Sequence, residues 1–391
     1  MSGRRDFIRA MLALGTTSVV GATAVGLSGC STLNNRLSSQ PTAFKTGVVL
    51  DPLFYEHNMV DHPENAQRLV AIDQELERRG LWQKLVPVQS RKATEEELLW
   101  VHSQGYIDEI AAMSEYGGGL YNPYLGDTYL TSASFEAAKM AAGSAIQLNL
   151  AVYDRIIDNG FGLLRPPGHH ALKNQAMGFC LFNSDVIAAK ALQKYRGVER
   201  VAIIDFDVHH GNGTQDLTIN DPSIMAISIH QHPFWPMTGG SEWVGEGQAA
   251  GTNVNCPFRS GAGDSTYLQV FDDVIAPKLA QFKPQQIMVF AGYDAHWQDH
   301  LAQHRMTVQG FNDLLLKIKG AAQQLCEGRL CLSLGGGYKL EPLAHSVAGN
   351  FEVLLGEPVL PDVIGASPVL ELDYRQEIAD LRTQFLTAKG T

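Results

Sequence analysis

The sequence predicts an α/β fold: an open, mostly parallel sheet with helices on both faces. Three observations carry that expectation. Short apolar runs bounded by turn residues recur along the chain, segments of helical period lie between them, and each chemically loaded motif begins where an apolar run ends. Ligands of open α/β sheets sit beyond the carboxyl ends of the strands, so the motifs stand where such a sheet needs them.

The apolar runs are Gly47 to Leu50, Phe161 to Leu164, Val201 to Ile204, Ile224 to Ile229, Ile287 to Phe290 and Leu330 to Leu334. Apart from Ser228 and Ser333 they lack polar side chains rather than alternating, as strands buried on both faces do. Helical period marks Pro63 to Arg79, Ser134 to Asp158, Ser184 to Tyr195, Ser265 to Gln281, Val308 to Gln324 and Leu343 to Leu355. No linker of low complexity interrupts this alternation, and residues 44–391 are read as a single catalytic domain.

Residues 1–30 read as an export signal. Arg4 and Arg5 in GRRDFIRA precede a stretch rich in Gly, Ala and Thr, a twin-arginine pattern, and the stretch ends on Leu27, Ser28, Gly29 and Cys30, which resembles a lipoprotein cleavage box. Lipidation of Cys30 is expected to hold an exported protein on a membrane, facing the periplasm or the cell exterior. The competing reading is an uncleaved membrane helix, and the Gly, Thr and Ser content of so short a segment speaks against it. Residues 31–43 are polar and read as a flexible tether.

The chain carries 30 Lys and Arg against 41 Asp and Glu, a net charge of −11. Without the first thirty residues the balance is 27 against 40, or −13, which disfavours nucleic acid as a partner and mildly favours cationic substrates. Besides Cys30 there are Cys180, Cys256, Cys326 and Cys331. A short bridge between Cys326 and Cys331 is possible from their spacing, and buried free thiols are the preferred reading.

The most telling stretch is Asp205 to Gly213, DFDVHHGNG, directly after an apolar run. Asp207 and His209 are two residues apart at a strand end, so they share a face and can grip one cation. Alone, such a pair more often makes ordinary hydrogen bonds. Asp294, in AGYDAH after another run, changes that balance: two carboxylates and one imidazole leave a divalent cation near neutrality with an open position. His169 and His170 follow two prolines and Gly168 in RPPGHHA; with three ligands already at hand they are assigned to proton transfer. Tyr338 stands behind three glycines in LGGGYKL, where Gly336 and Gly337 leave room for close approach; no P-loop spacing follows them.

RPPGHHA, GFCLFN, DFDVHHGNGTQ, AGYDAH and GGGYKL resemble, in this order, the signature segments of the histone deacetylase superfamily over roughly Val48 to Leu355. Asn212 and the AGYDAH form point to its class II-like bacterial branch, which includes acetylpolyamine amidohydrolases and histone deacetylase-like amidohydrolases. The resemblance implies an arginase-like sheet, zinc on Asp207, His209 and Asp294, and His169, His170 and Tyr338 as catalytic residues. Asp205 would stabilise His169 as a cation, while Asn212 bonds His170 without charge and leaves it the preferred general base. It further implies a potassium ion near Asp205, Asp207, His209, Ser228 and Ile229, and an acyl-lysine tunnel walled by Gly178, Phe179 and Trp235, with Asp127 and Gly336 placed toward the substrate. Trp235 could equally be a core aromatic and Asp127 a solvated loop residue.

The activity implied is hydrolysis of N-acetyl amides by metal-activated water, on an acetylpolyamine, a small acetylated amine or an acetyl-lysine peptide. Two rival activities make different demands on the sequence. An arginase-type ureohydrolase needs a further aspartate two beyond His209, where this chain has Gly211. A non-hydrolytic acyl-lysine or polyamine binding module does not need Tyr338 or the histidine pair.

Overall fold

The computed structural model describes residues 44–122 and 128–387. The expected export signal with Cys30, the tether, and Asp127 lie outside the described residues.

Among the described residues ten strands form: β1 Thr46–Val49, β2 Val86–Pro87, β3 Gly118–Leu120, β4 Tyr129–Thr131, β5 Asn159–Gly162, β6 Val201–Asp205, β7 Ile224–Gln231, β8 Asn253–Phe258, β9 Gln286–Ala291 and β10 Leu330–Leu334. Eight of them make one sheet in the order β2-β1-β5-β10-β9-β6-β7-β8. Every neighbouring pair in it is parallel. β3 and β4 form a separate antiparallel hairpin. The sheet is thus wholly parallel where a mostly parallel one was expected.

All six expected runs lie in this sheet, and its two edges were not foreseen. β8 reads NVNCPF, and its buried Asn253 and Asn255 break the apolar signal because both carboxamides donate to Gln215 Oε1. β2 is two residues long and includes Pro87, as befits an edge. β5 begins two residues before the expected run, with Asn159 and Gly160 in the ladder, while Leu163 continues only through its N–H to the Val49 carbonyl.

The helices used below are α1 Gln67–Arg78, α2 Ser134–Tyr153, α3 Ser184–Arg196, α4 Asn212–Thr218, α5 Val308–Cys326 and α6 Leu340–Leu355. They pack in two sets: α2 against α3, and α1 and α5 against α6. Asn183 opens α3 by accepting from Val186 N, and Gly197 closes it at φ 67°. The expected helix from Ser265 to Gln281 is instead two short helices joined by a π-helical stretch at Phe271–Ile275, just ahead of Pro277. Cys180, Cys256, Cys326 and Cys331 are buried and free. No described helix is long and apolar enough to cross a membrane.

Because all eight strands point the same way, their carboxyl ends share one rim. α6 starts beside that rim just after Tyr338 and ends at the opposite edge, where Phe44 N donates to Leu355 O at 3.4 Å. Lys319 also lies there, its ammonium bonded to the Val353 carbonyl at 2.6 Å and 4.0 Å from the Phe44 ring centroid.

Candidate functional site

β6 stops at Asp205, and the segment beyond it is bent by its own carboxylates. Asp207 N donates to Asp205 Oδ1 at 3.0 Å, and His209 N donates to Asp207 Oδ1 at 3.0 Å. The convergence of Asp207 and His209 therefore comes from two successive side-chain-to-backbone turns, and not from the alternation of a strand, as the sequence suggested. Asp294, beyond the end of β9, is drawn in by the Val208 N–H, which it accepts at 2.9 Å through Oδ1.

His209 Nδ1 lies 3.1 Å from Asp207 Oδ1 and 3.0 Å from Asp294 Oδ2. One ligand atom of each of these residues falls within 4.8 Å of the others, the only such grouping of three among the described residues. Burial disfavours a charged His209, yet the two carboxylates overcome it and raise the imidazole to about 10. Asp294 moves up to about 7 through burial and the neighbouring Asp207. This is a field that holds positive charge between three atoms, and a divalent cation fits it better than the single proton.

Gly336 makes the arrangement possible. A Cβ there would lie 2.2 Å from Asp294 Oδ2 and 2.7 Å from Asp207 Oδ2, while its N–H donates to Asp207 Oδ2 at 2.7 Å. Gly336 is thus packed against the two carboxylates, one residue from the glycine that precedes Tyr338.

His169 Nδ1 pairs with Asp205 Oδ2 at 2.8 Å, and His170 Nδ1 with Asn212 Oδ1 at 2.7 Å. Asn212 opens α4, so the second partner is set by a helix start. Burial pushes His169 down, but Asp205 and Asp207 outweigh it and the shift is upward. His170 is driven well below the usual histidine range by burial, with His169 and His209 adding to the effect. The two rings, with centroids 3.8 Å apart, are thereby pushed in opposite directions, His169 toward the charged form and His170 toward the neutral one.

A cavity of about 300 Å³ opens onto this group, lined by His170, Gly178, Phe179, His209, Phe234, Trp235, Leu301 and Tyr338. Gly178, at φ 55°, is required: a Cβ would meet His170 Cδ2 at 2.2 Å and Trp235 Cη2 at 2.6 Å. Trp235 stands edge-on to His170 at 4.7 Å between centroids. The Tyr338 ring meets Phe179 edge-on at 5.7 Å. Burial, then the charge of Asp294, lifts the Tyr338 phenol well above its usual range, so it stays a donor.

Ser228 lies beside Asp205 in the β6–β7 ladder and is bonded to His230 Nδ1 at 2.9 Å; Ile229 follows it, buried. Phe234 and Leu301 line the cavity without having been anticipated. Phe234 was legible beside Trp235, whereas Leu301 comes from an irregular loop with no periodic signal.

A buried ionic network behind the cavity was also missed. Glu64 bonds Arg165 at 2.5 Å and 2.7 Å and Arg68 at 3.1 Å, all three side chains being 0% exposed. Arg68 donates to the carbonyl of Gly337 at 2.8 Å and to that of Gly335, gripping the segment before Tyr338. Burial would raise the Glu64 carboxyl, but Arg165 and Arg68 hold it at about 2. The four-residue spacing of Glu64 and Arg68 was the available signal. Glu64→Ala leaves two guanidiniums buried without their anion and is expected to cost about 3 to 5 kcal/mol of stability, measured by urea unfolding. An unchanged midpoint and slope would refute that account.

Residues 62–354 match the family model described as Histone deacetylase domain. "Histone deacetylase 14, chloroplastic" of Arabidopsis thaliana is 41% identical over 318 residues, which cover 78% of this chain and 75% of that protein. "Histone deacetylase-like amidohydrolase" of Pseudomonas aeruginosa is 38% identical over 279 residues, covering 71% and 72%. The crystal structure of the HDA15 HD domain superposes with a TM-score of 0.79 at 33% identity, covering 88% of this chain and 96% of that one.

Proposed function

The chain belongs to the histone deacetylase family, and from that premise we propose that it is a zinc-dependent deacylase that hydrolyses N-acetyl amides to acetate and a free amine. The observation that carries the reading is that the Asp207, His209 and Asp294 ligand atoms meet at an aromatic cavity that His170 and Tyr338 also line.

Asp207, His209 and Asp294 would hold the zinc. When bound, the ion supplies Lewis acidity toward the acyl carbonyl and toward water. The protein's own groups do the rest. Phe179, Trp235, Phe234 and Leu301 exclude solvent around a thin aliphatic chain and aim its amide inward. His170, with Nδ1–H given to Asn212, keeps its Nε2 lone pair to take a proton from the attacking water. As oxygen bonds to the acyl carbon, Tyr338 donates its phenol hydrogen bond to the carbonyl oxygen where negative charge develops. The C–N bond then breaks as His169, held in its charged form by Asp205 at Nδ1, gives its Nε2 proton to the leaving nitrogen, and the proton His170 took from water is passed on to restore the pair at the end of the turnover.

The cavity lining has no carboxylate among the described residues. A cationic preference therefore rests on Asp127 and the acidic surface, and the substrate is an acetylpolyamine, a small acetylated amine or an acetyl-lysine peptide. Zinc-loaded protein is offered each of these while acetate is measured. Binding without acetate release from any of them would sink the proposal in favour of a binding module.

For potassium, Asp205 and Ser228 are already engaged by His169, the Asp207 N–H and His230, so a fit there draws chiefly on backbone carbonyls. Activity indifferent to potassium across a titration removes that ion. Export and anchoring rest on Arg4, Arg5 and the segment ending at Cys30. Cys30→Ser is expected to abolish palmitate labelling and release the protein from membranes; equal labelling of both forms removes the anchor.

A further inference from the structure

We infer that Asp299 is a positioning residue for Tyr338, its carboxylate tying the tyrosine backbone to the loop that supplies the cavity wall at Leu301. The inference rests on the reading of Tyr338 as the oxyanion donor and adds what holds that donor in place.

Asp299 is 6% exposed, and its side chain is shared between two segments 39 residues apart. Oδ2 accepts from Tyr338 N at 2.6 Å and from Lys339 N at 3.1 Å, while Oδ1 accepts from Leu301 N at 3.0 Å. These contacts answer a deficiency in the local sequence. α6 runs for 16 residues, yet its N-cap is Lys339, which makes no side-chain cap bond and has no oxygen with which to make one. Asp299, from another part of the chain, instead accepts the N–H of the N-cap residue itself and places a negative charge near the positive end of the helix.

Tyr338 needs such a tie because the three residues before it are glycines, which offer no side chain to pack. On the carbonyl side of that segment Arg68 grips Gly335 and Gly337. On the N–H side the acceptor is Asp299. The loop that presents it is itself fixed: Asp299 N donates to His296 O at 2.8 Å, Trp297 N to Met306 O at 3.0 Å, and Trp297 Nε1 to Gly365 O at 2.9 Å. A donor displaced by about 1 Å from a developing charge can lose on the order of a hundredfold in rate, so this bond has direct leverage on turnover.

The test is a double-mutant cycle on the zinc-loaded full chain: wild type, Asp299→Ala, Tyr338→Phe and the double variant, with Asp299→Asn alongside. Asp299→Ala is expected to lower kcat by about 10- to 100-fold, with KM and zinc stoichiometry within about twofold of wild type. Asp299→Asn, which keeps an acceptor oxygen but not the charge, should fall between the two, and it carries the test if the alanine variant does not fold. In the Tyr338→Phe background, Asp299→Ala should cost less than about a further twofold, because the group it positions is gone. Wild-type kcat in Asp299→Ala, or an equal loss in both backgrounds, overturns the inference alone. Near-normal kcat in Tyr338→Phe by itself overturns the reading of Tyr338, and this inference with it.

Discussion

Asp294→Ala is expected to empty the metal centre and abolish hydrolysis together. The substitution removes the Oδ2 atom 3.0 Å from His209 Nδ1 and leaves two side chains to hold a divalent ion, one fewer than catalytic zinc sites use. It also strips the Val208 N–H of its acceptor, loosening the segment that carries Asp207 and His209. A metal's share of transition-state stabilisation is several kcal/mol, so the fall in kcat should be about a thousandfold or more. Zinc per chain, read by atomic absorption after dialysis, should drop to background. Asp294→Asn separates the two effects: its carboxamide oxygen still accepts from Val208, so the fold should hold while zinc binding weakens. Full zinc occupancy in the alanine variant would falsify the ligand assignment.

Tyr338→Phe is the second large effect. The substitution removes one hydroxyl and leaves the ring, with its edge-on contact to Phe179 and the Arg68 guanidinium 5.2 Å from its centroid. No metal ligand and no helix bond is touched, so zinc content and thermal stability should match the wild type. The missing hydrogen bond to the developing oxyanion should cost at least about a hundredfold in kcat, roughly 2.7 to 4 kcal/mol. Because the phenol's role is confined to the transition state, kcat and kcat/KM should fall together. Near-normal turnover would take the hydroxyl out of the mechanism.

The central strands and the chemical motifs were legible because each advertises itself locally. VAIID, QIMVFA and LCLSL bury both faces and so read as mainly apolar, and the motifs lie directly at their ends. The edges were illegible for the opposite reason: β8 pays for its buried asparagines with hydrogen bonds to Gln215, a partner some forty residues away in sequence. Glu64, Arg68 and Arg165 were missed because charged side chains are ordinarily at the surface, and only three-dimensional pairing makes burying them tolerable. The grouping of Asp207, His209 and Asp294 was legible, but partly for the wrong cause. Asp207 and His209 converge through turns made by carboxylates, which a pattern of alternating faces does not describe. Leu301 and Asp299 belong to an irregular loop whose importance lies wholly in what it touches.

The shared direction of the eight strands also dictates how this molecule can be handled. α6 begins next to Tyr338 and, at about 1.5 Å per residue over its 16 residues, carries the chain some 24 Å before meeting Phe44. Phe44 therefore sits on the underside of the domain, so an affinity tag, a bead linker or a fluorescent reporter joined directly to it starts from the face remote from Tyr338. An enzyme captured at Phe44 itself turns the rim that carries Tyr338 away from the support, toward immobilised-substrate arrays and bulky acyl conjugates.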